Sequence, residues 1–140
     1  MTTTGQRRST TSGPRSSLGL WVLYLCDAGL LIASGLIHLH LWDIAYRHVK
    51  TLDVLFLVQV AAAVLLALAL LITRRLIVVL AGLLLMAGTI VGFLLARSVG
   101  IFGFKLTFSS GLADTVLTIE IAGVILLAIT AWAMRRSARP

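Results

Sequence analysis

Charge is what this sequence has least of: 12% of its 140 residues are Asp, Glu, Lys or Arg, against the roughly 25% of an ordinary soluble domain. With a mean hydropathy of +1.05, a water-soluble globular domain is excluded. Cysteine is nearly absent too. The one thiol, Cys26, has no partner in the chain, so neither a disulfide framework nor a two-thiol quinone oxidoreductase is available. Cys26 reads as a small apolar filler. Catalytic patterns are missing as well, with no Ser/His/Asp array, Gly-rich phosphate loop or paired-cysteine motif. The chain therefore reads as a non-enzyme with no cofactor.

What is present is four long apolar runs, at 18–42, 52–72, 76–96 and 112–134. The hydrocarbon core of a bilayer is roughly 30 Å thick and a helix rises about 1.5 Å per residue, so about 20 residues cross it. All four runs qualify. They are continuous rather than alternating and exceed the roughly 10 residues of a barrel strand, which disfavours a β-barrel. Helices satisfy their own backbone hydrogen bonds, as lipid requires. The expected fold is all-α: a four-helix transmembrane bundle.

An even number of spans puts both termini on one side. Arg7, Arg8, Arg15, Arg74, Arg75, Arg135, Arg136 and Arg139 then share that side, and Arg47, Lys50, Arg97 and Lys105 the other. Positive charge collects on the cytoplasmic face, so both termini are expected in the cytoplasm and the protein in the plasma membrane as a multi-pass component. Residues 1–17 are rich in Ser, Thr and Gly and read as a disordered cytoplasmic tail, residues 18–134 as the transmembrane domain and residues 135–140 as a basic cytoplasmic tail. Arg7-Arg8 and Ala33-Ser34-Gly35 raise an export signal with a cleavage site. Asp27 interrupts the stretch and apolar sequence continues to Trp42, so cleavage is not expected. The net charge of +7 flanks spans, which suits anionic lipid head groups rather than nucleic acid.

The first outer loop, 43–51, carries Tyr46, Arg47, His48 and Lys50 after Trp42, and reads as an interfacial anchor. Thr51 and Asp53 suit the start of the second helix, the hydroxyl as a cap and the carboxylate against the helix dipole. In the second outer loop, 97–111, Phe102, Phe104, Leu106 and Phe108 alternate with Gly103, Lys105 and Thr107. An extended segment would put every large apolar side chain on one face. That face reads as head-group burial or as a partner-docking segment.

The polar groups inside the runs are few. Counting depth from each midpoint, Gln59, Thr89 and Glu120 fall about 4 to 5 Å to the outer side of centre and Ser34 about 6 Å. One polar layer with a member from each helix is expected. Asp27, Ser34 and His38 also point within about 40° of one another at about 100° per residue. They form an expected polar track along the first helix, with Glu120 and Gln59 facing it. A carboxylate ionised in lipid costs several kcal/mol, so Asp27 and Glu120 must be neutral, paired or solvated. The track reads either as a proton or cation site with His38 as outer relay, or as hydrogen-bonding glue at roughly 1 kcal/mol per bond. Gly88 and Gly92 form a GxxxG run and Gly123 lies one turn from Glu120; all three are expected at close helix contacts.

Three histidines, His38, His40 and His48, raise a Cu or Zn site at the outer face. His38 and His40 diverge by about 200° on a helix, so both ligate one ion only if the helix ends there. Bis-histidine haem needs a second inward histidine, and runs two to four contain none.

The run Gly35-Leu36-Ile37-His38-Leu39-His40-Leu41-Trp42, followed by Tyr46-Arg47-His48, Leu55-Phe56-Leu57-Val58-Gln59, Phe102-Gly103-Phe104 and Glu120, resembles small four-span membrane proteins found widely in actinobacteria. The resemblance spans about 18–134 and implies the topology and an actinobacterial plasma membrane, with no mechanism attached. Together these features lead to an accessory or scaffold subunit, with membrane lipids and membrane-protein partners or a homo-oligomer as its contacts. A small proton- or cation-coupled transporter using Glu120, Asp27 and His38 is the alternative, and outer-face metal binding a third.

Overall fold

The computed structural model describes residues 15–100 and 111–138. Helix α1 spans Arg15–Leu41 and runs on into one π-helical turn, Trp42–Tyr46, in which the Arg47 N–H donates to the Trp42 carbonyl at 2.9 Å. Helices α2 (Leu52–Thr73), α3 (Leu76–Ser98) and α4 (Gly111–Ser137) follow. All four are long and apolar enough to cross a bilayer. The described residues are helices and their connections, without a strand.

Several boundaries differ from expectation. Arg15, Ser16 and Ser17 belong to α1 rather than to a tail, and Arg135 and Arg136 lie in α4 rather than beyond it. The first outer loop shrinks because 42–46 stays helical; apolar residues at Trp42, Ile44 and Ala45 leave nothing to unwind it. Arg97 likewise sits in α3.

Each helix packs on its sequence neighbours, and α4 closes the ring on α1. Contacts such as His38 with Phe56, Gly35 with Ala63, and Gly82 with Leu127 pair early residues of one helix with late residues of the next, so adjacent helices are antiparallel. The ends of α1 and α4 at Arg15 and Ser137 therefore share the end where Arg74 and Arg75 turn α2 into α3. We call this the arginine end. Its guanidiniums lie over indole rings, Arg74 at 3.6 Å from Trp21 and Arg136 at 4.2 Å from Trp132, the pairing expected where a cationic head leaves an apolar surface.

The core lies toward the arginine end and comprises Tyr24, Ala28, Leu31, Ala67, Leu70, Val79, Met86, Leu127 and Ala131. Small residues let the backbones approach: a Cβ on Gly35 would stand 3.3 Å from the Ala63 Cβ. One on Gly123 would overlap the Met86 side chain. In lipid, where apolar burial offers little gain, such contacts are what hold helices together.

The two visible connections both use a positive φ. Arg74 is left-handed at 50° and its N–H caps Leu70, while Thr51 stands at φ 74°. The Thr51 hydroxyl makes no cap hydrogen bond, contrary to expectation. Asp53 takes that role, its Oδ1 accepting the Val54 N–H at 2.7 Å.

Candidate polar site and lateral cleft

Positions 27, 31, 34 and 38 repeat every three to four residues, so α1 turns one seam into the bundle. Asp27, Leu31, Ser34 and His38 are all buried there. The facing seam of α4 carries Val116, Glu120, Leu127 and Thr130. Two polar pairs result. Thr130 Oγ1 donates to Asp27 Oδ2 at 2.6 Å, and Ser34 Oγ donates to Glu120 Oε1 at 2.5 Å. Acid and hydroxyl exchange helices between the two, since α1 supplies the acid in the first and the hydroxyl in the second.

His38 completes the second pair. Its Nδ1 lies 2.9 Å from the Ser34 carbonyl and 3.9 Å from Glu120 Oε1. A carbonyl only accepts, so Nδ1 carries a proton in this contact, and in the neutral imidazole Nε2 keeps its lone pair. Nε2 has no hydrogen-bond partner among the described residues. On its other side the imidazole lies 5.4 Å from the Phe56 ring, which in turn stacks on Tyr46 at 4.6 Å.

The expected track from Asp27 to His38 is interrupted. Leu31 and Leu127, 1% and 0% exposed, occupy the level between the two pairs, which are about 10 Å apart along α1 by the helical rise. A proton moving from Asp27 to Glu120 would cross an apolar layer. Each pair also leaves one carboxyl oxygen, Asp27 Oδ1 and Glu120 Oε2, buried without a partner.

The four-helix polar layer does not assemble either. Ser34 and Glu120 meet, but Thr89 bonds back to its own helix at the Leu85 carbonyl, 3.0 Å away. Gln59 and Thr89 line a cleft of about 740 Å³ between α2 and α3, together with His38, Tyr46, Phe56 and Phe93. The Gln59 Nε2 is buried there without a hydrogen-bond partner. The cause lies in α3. Gly88 and Gly92, expected at a close contact, meet nothing within 4 Å and form the cleft wall. The glycines at close approach are Gly35, Gly82 and Gly123.

The histidine set is likewise dispersed. His38 is buried, whereas His40 and His48 are exposed, and Arg47 Nε donates to His48 Nε2 at 3.1 Å. Among the described residues no three His, Cys, Asp or Glu side chains are grouped to hold a metal. Cys26 faces outward on α1 instead of filling the interior. The segment bearing Phe102, Phe104, Leu106 and Phe108 lies outside the described residues.

Sequence reasoning missed Thr130 and the Phe56–Tyr46 stack. Counted from the midpoint of its run, Thr130 lies about 10 Å to the inner side and Asp27 about 4 to 5 Å, so depth alone does not pair them; the signal is a single hydroxyl at the arginine end of the last run. The aromatic stack carries no such signal.

Four antiparallel apolar helices with paired polar groups buried between them define the class: a multi-pass helical membrane protein. Comparison with family models, curated proteins and solved structures found no match.

Proposed function

We propose that this chain is a non-enzymatic accessory protein of the plasma membrane, with both termini cytoplasmic, that works by receiving a component of a larger membrane assembly in its α2–α3 cleft. The observation that carries the reading is the cleft itself. The hydroxyls of the α1–α4 seam pair with its carboxyls, whereas Gln59, Thr89, Gly88 and Gly92 line a groove between α2 and α3. A membrane bundle whose α3 glycines line a groove instead of a helix contact among the described residues has a surface suited to something from outside the chain. Orientation follows the charge: in the sequence, eight of the twelve basic residues precede the first apolar run, join the second to the third or follow the fourth, and the positive-inside rule puts that side in the cytoplasm. The resemblance to small actinobacterial four-span proteins agrees with that placement.

Purification of the full chain in mild detergent followed by native mass spectrometry should retain a stoichiometric protein or lipid component. A clean monomer with nothing bound, unchanged by Gly88→Leu, argues against the reading.

A second reading has its own observation. Ser34, His38 and Glu120 form a buried cluster whose carboxyl has a spare oxygen, a candidate proton site. Glu120→Gln separates the roles. An amide still accepts from Ser34, so glue survives and proton carriage does not; unchanged flux in reconstituted vesicles sinks transport.

A further inference from the structure

The five carboxyl side chains of this sequence are unevenly shared between the two ends of the bundle. Asp27 and Glu120 are buried in the α1–α4 seam. Asp43 in the π-turn, and Asp53 and Asp114 in the first turns of α2 and α4, all stand at the end opposite the arginines, where Arg47 pairs with Asp43 at 3.4 Å. No Asp or Glu occurs before residue 27, between 53 and 114 or after 120. The arginine end therefore has no surface carboxyl side chain to neutralise it, and the residues outside the described range supply none either.

Two of its arginines are held in place without an acid. The Arg74 guanidinium lies over the Trp21 ring and that of Arg136 over the Trp132 ring, and neither side chain makes a hydrogen bond among the described residues. Stacking occupies the face of a guanidinium and leaves the N–H donors around its edge free. A fork fixed in this way meets a phosphate with two parallel bonds and loses little freedom in doing so. Arg75 and Arg135 are also exposed but lie over no ring among the described residues.

The depth of the rings selects the acceptor. Trp21 is the fourth residue of the first apolar run and Trp132 the third from the end of the last. A helical side chain leans toward the N-terminus of its helix, so Arg136 bends back one turn over Trp132 rather than out toward water. Both guanidiniums thus stand where the apolar runs end, at the level of lipid head groups. A soluble polyanion stays in the water beyond, whereas a phospholipid brings its phosphate to this level, with Leu25, Ile125 and Ile129 exposed below the rings to its acyl chains. A zwitterionic head group would add its own cation to an end that already carries Arg74, Arg75, Arg135 and Arg136 with no acid among them.

We propose that the arginine end binds anionic phospholipid, the forks of Arg74 on Trp21 and of Arg136 on Trp132 each taking one lipid phosphate. This binding is separate from the α2–α3 cleft and does not depend on what fills it.

The test places the full chain in phosphatidylcholine vesicles with trace spin-labelled phosphatidylglycerol or spin-labelled phosphatidylcholine, and electron spin resonance reads the motionally restricted fraction of each. Phosphatidylglycerol should be preferred about fivefold, the size of one cationic contact near a membrane surface. The pair Arg74→Lys and Arg136→Lys keeps the charge but removes both forks, and should bring the preference below about twofold with an unchanged unfolding midpoint. The pair Arg75→Lys and Arg135→Lys has the same charge and should keep the preference. Trp21→Leu with Trp132→Leu releases the forks and should lose it. Equal preference in the two lysine pairs overturns the proposal, because the number of charges would then account for the selectivity; so does a native chain without preference. Release of the labelled lipid by soluble polyphosphate also overturns it, by putting the acceptor in water. Gly88→Leu should leave the preference intact, and a loss there overturns the proposal while placing the lipid in the cleft.

Discussion

The two halves of the bundle solve the same problem differently. At the arginine end, Leu31, Leu70, Val79 and Leu127 meet with little or no exposure, and the Asp27–Thr130 pair is sealed among them. At the histidine end, α2 and α3 part, and the small residues that would let them touch stand open. Glycine spacing alone therefore does not make a contact. Gly123 packs because Met86 fills the space opposite it, whereas Gly88 and Gly92 face a groove. One half is built to hold the bundle, and the other leaves room.

Removing packing from the closed half should have the largest effect. Leu127 is 0% exposed and lies against the Gly82 backbone, so Leu127→Ala opens a cavity and should cost about 3 kcal/mol. Leu84, on the cleft rim, is 73% exposed, and Leu84→Ala should cost less than about 0.5 kcal/mol. Reversible denaturation in mixed micelles measures both. Equal losses would erase the distinction between the halves.

How much of this was legible in the sequence follows a physical line. Span number, span positions and the inward stripe of α1 are set by hydropathy and the helical period, which depend on one helix at a time. The Ser34–Glu120 level was legible from depth for the same reason. Which helix meets which, and at what rotation, depends on side-chain fit between helices. Gln59 and Thr89 share that depth yet turn to the cleft, and Leu31 interrupts a track whose angles were right. Angle along one helix says nothing about what stands opposite. The π-turn at 42–46 escaped because loop-forming polar residues there suggested an end, while Trp42, Ile44 and Ala45 allow the helix to run on.

The next effect probes the polar pairs across the two halves. Thr130→Val and Ser34→Ala each remove the hydroxyl that satisfies a buried carboxyl, and each should cost about 1 to 2 kcal/mol. Because Leu31 and Leu127 separate the pairs, the double variant should lose the sum to within about 0.5 kcal/mol. A coupling above about 1 kcal/mol would show that the two levels act as one network. The transport reading would then regain its continuous track.

The smallest effects come from the two turns, one at each end. Thr51, at φ 74° and ψ −44°, is a β-branched residue in a conformation that L side chains rarely adopt, and its hydroxyl returns no cap bond. Thr51→Gly relieves that strain with nothing lost and should raise stability by about 1 kcal/mol. Arg74 also has a positive φ, but its guanidinium lies 3.6 Å from the Trp21 ring. Arg74→Gly gains backbone freedom and gives up a cation–π contact of about 0.5 to 1 kcal/mol, so the two contributions nearly cancel. Unfolding midpoints in the same micelles decide the matter. A gain at Arg74 equal to that at Thr51 would mean that the indole contact contributes nothing, and that the arginine end is held by its core alone.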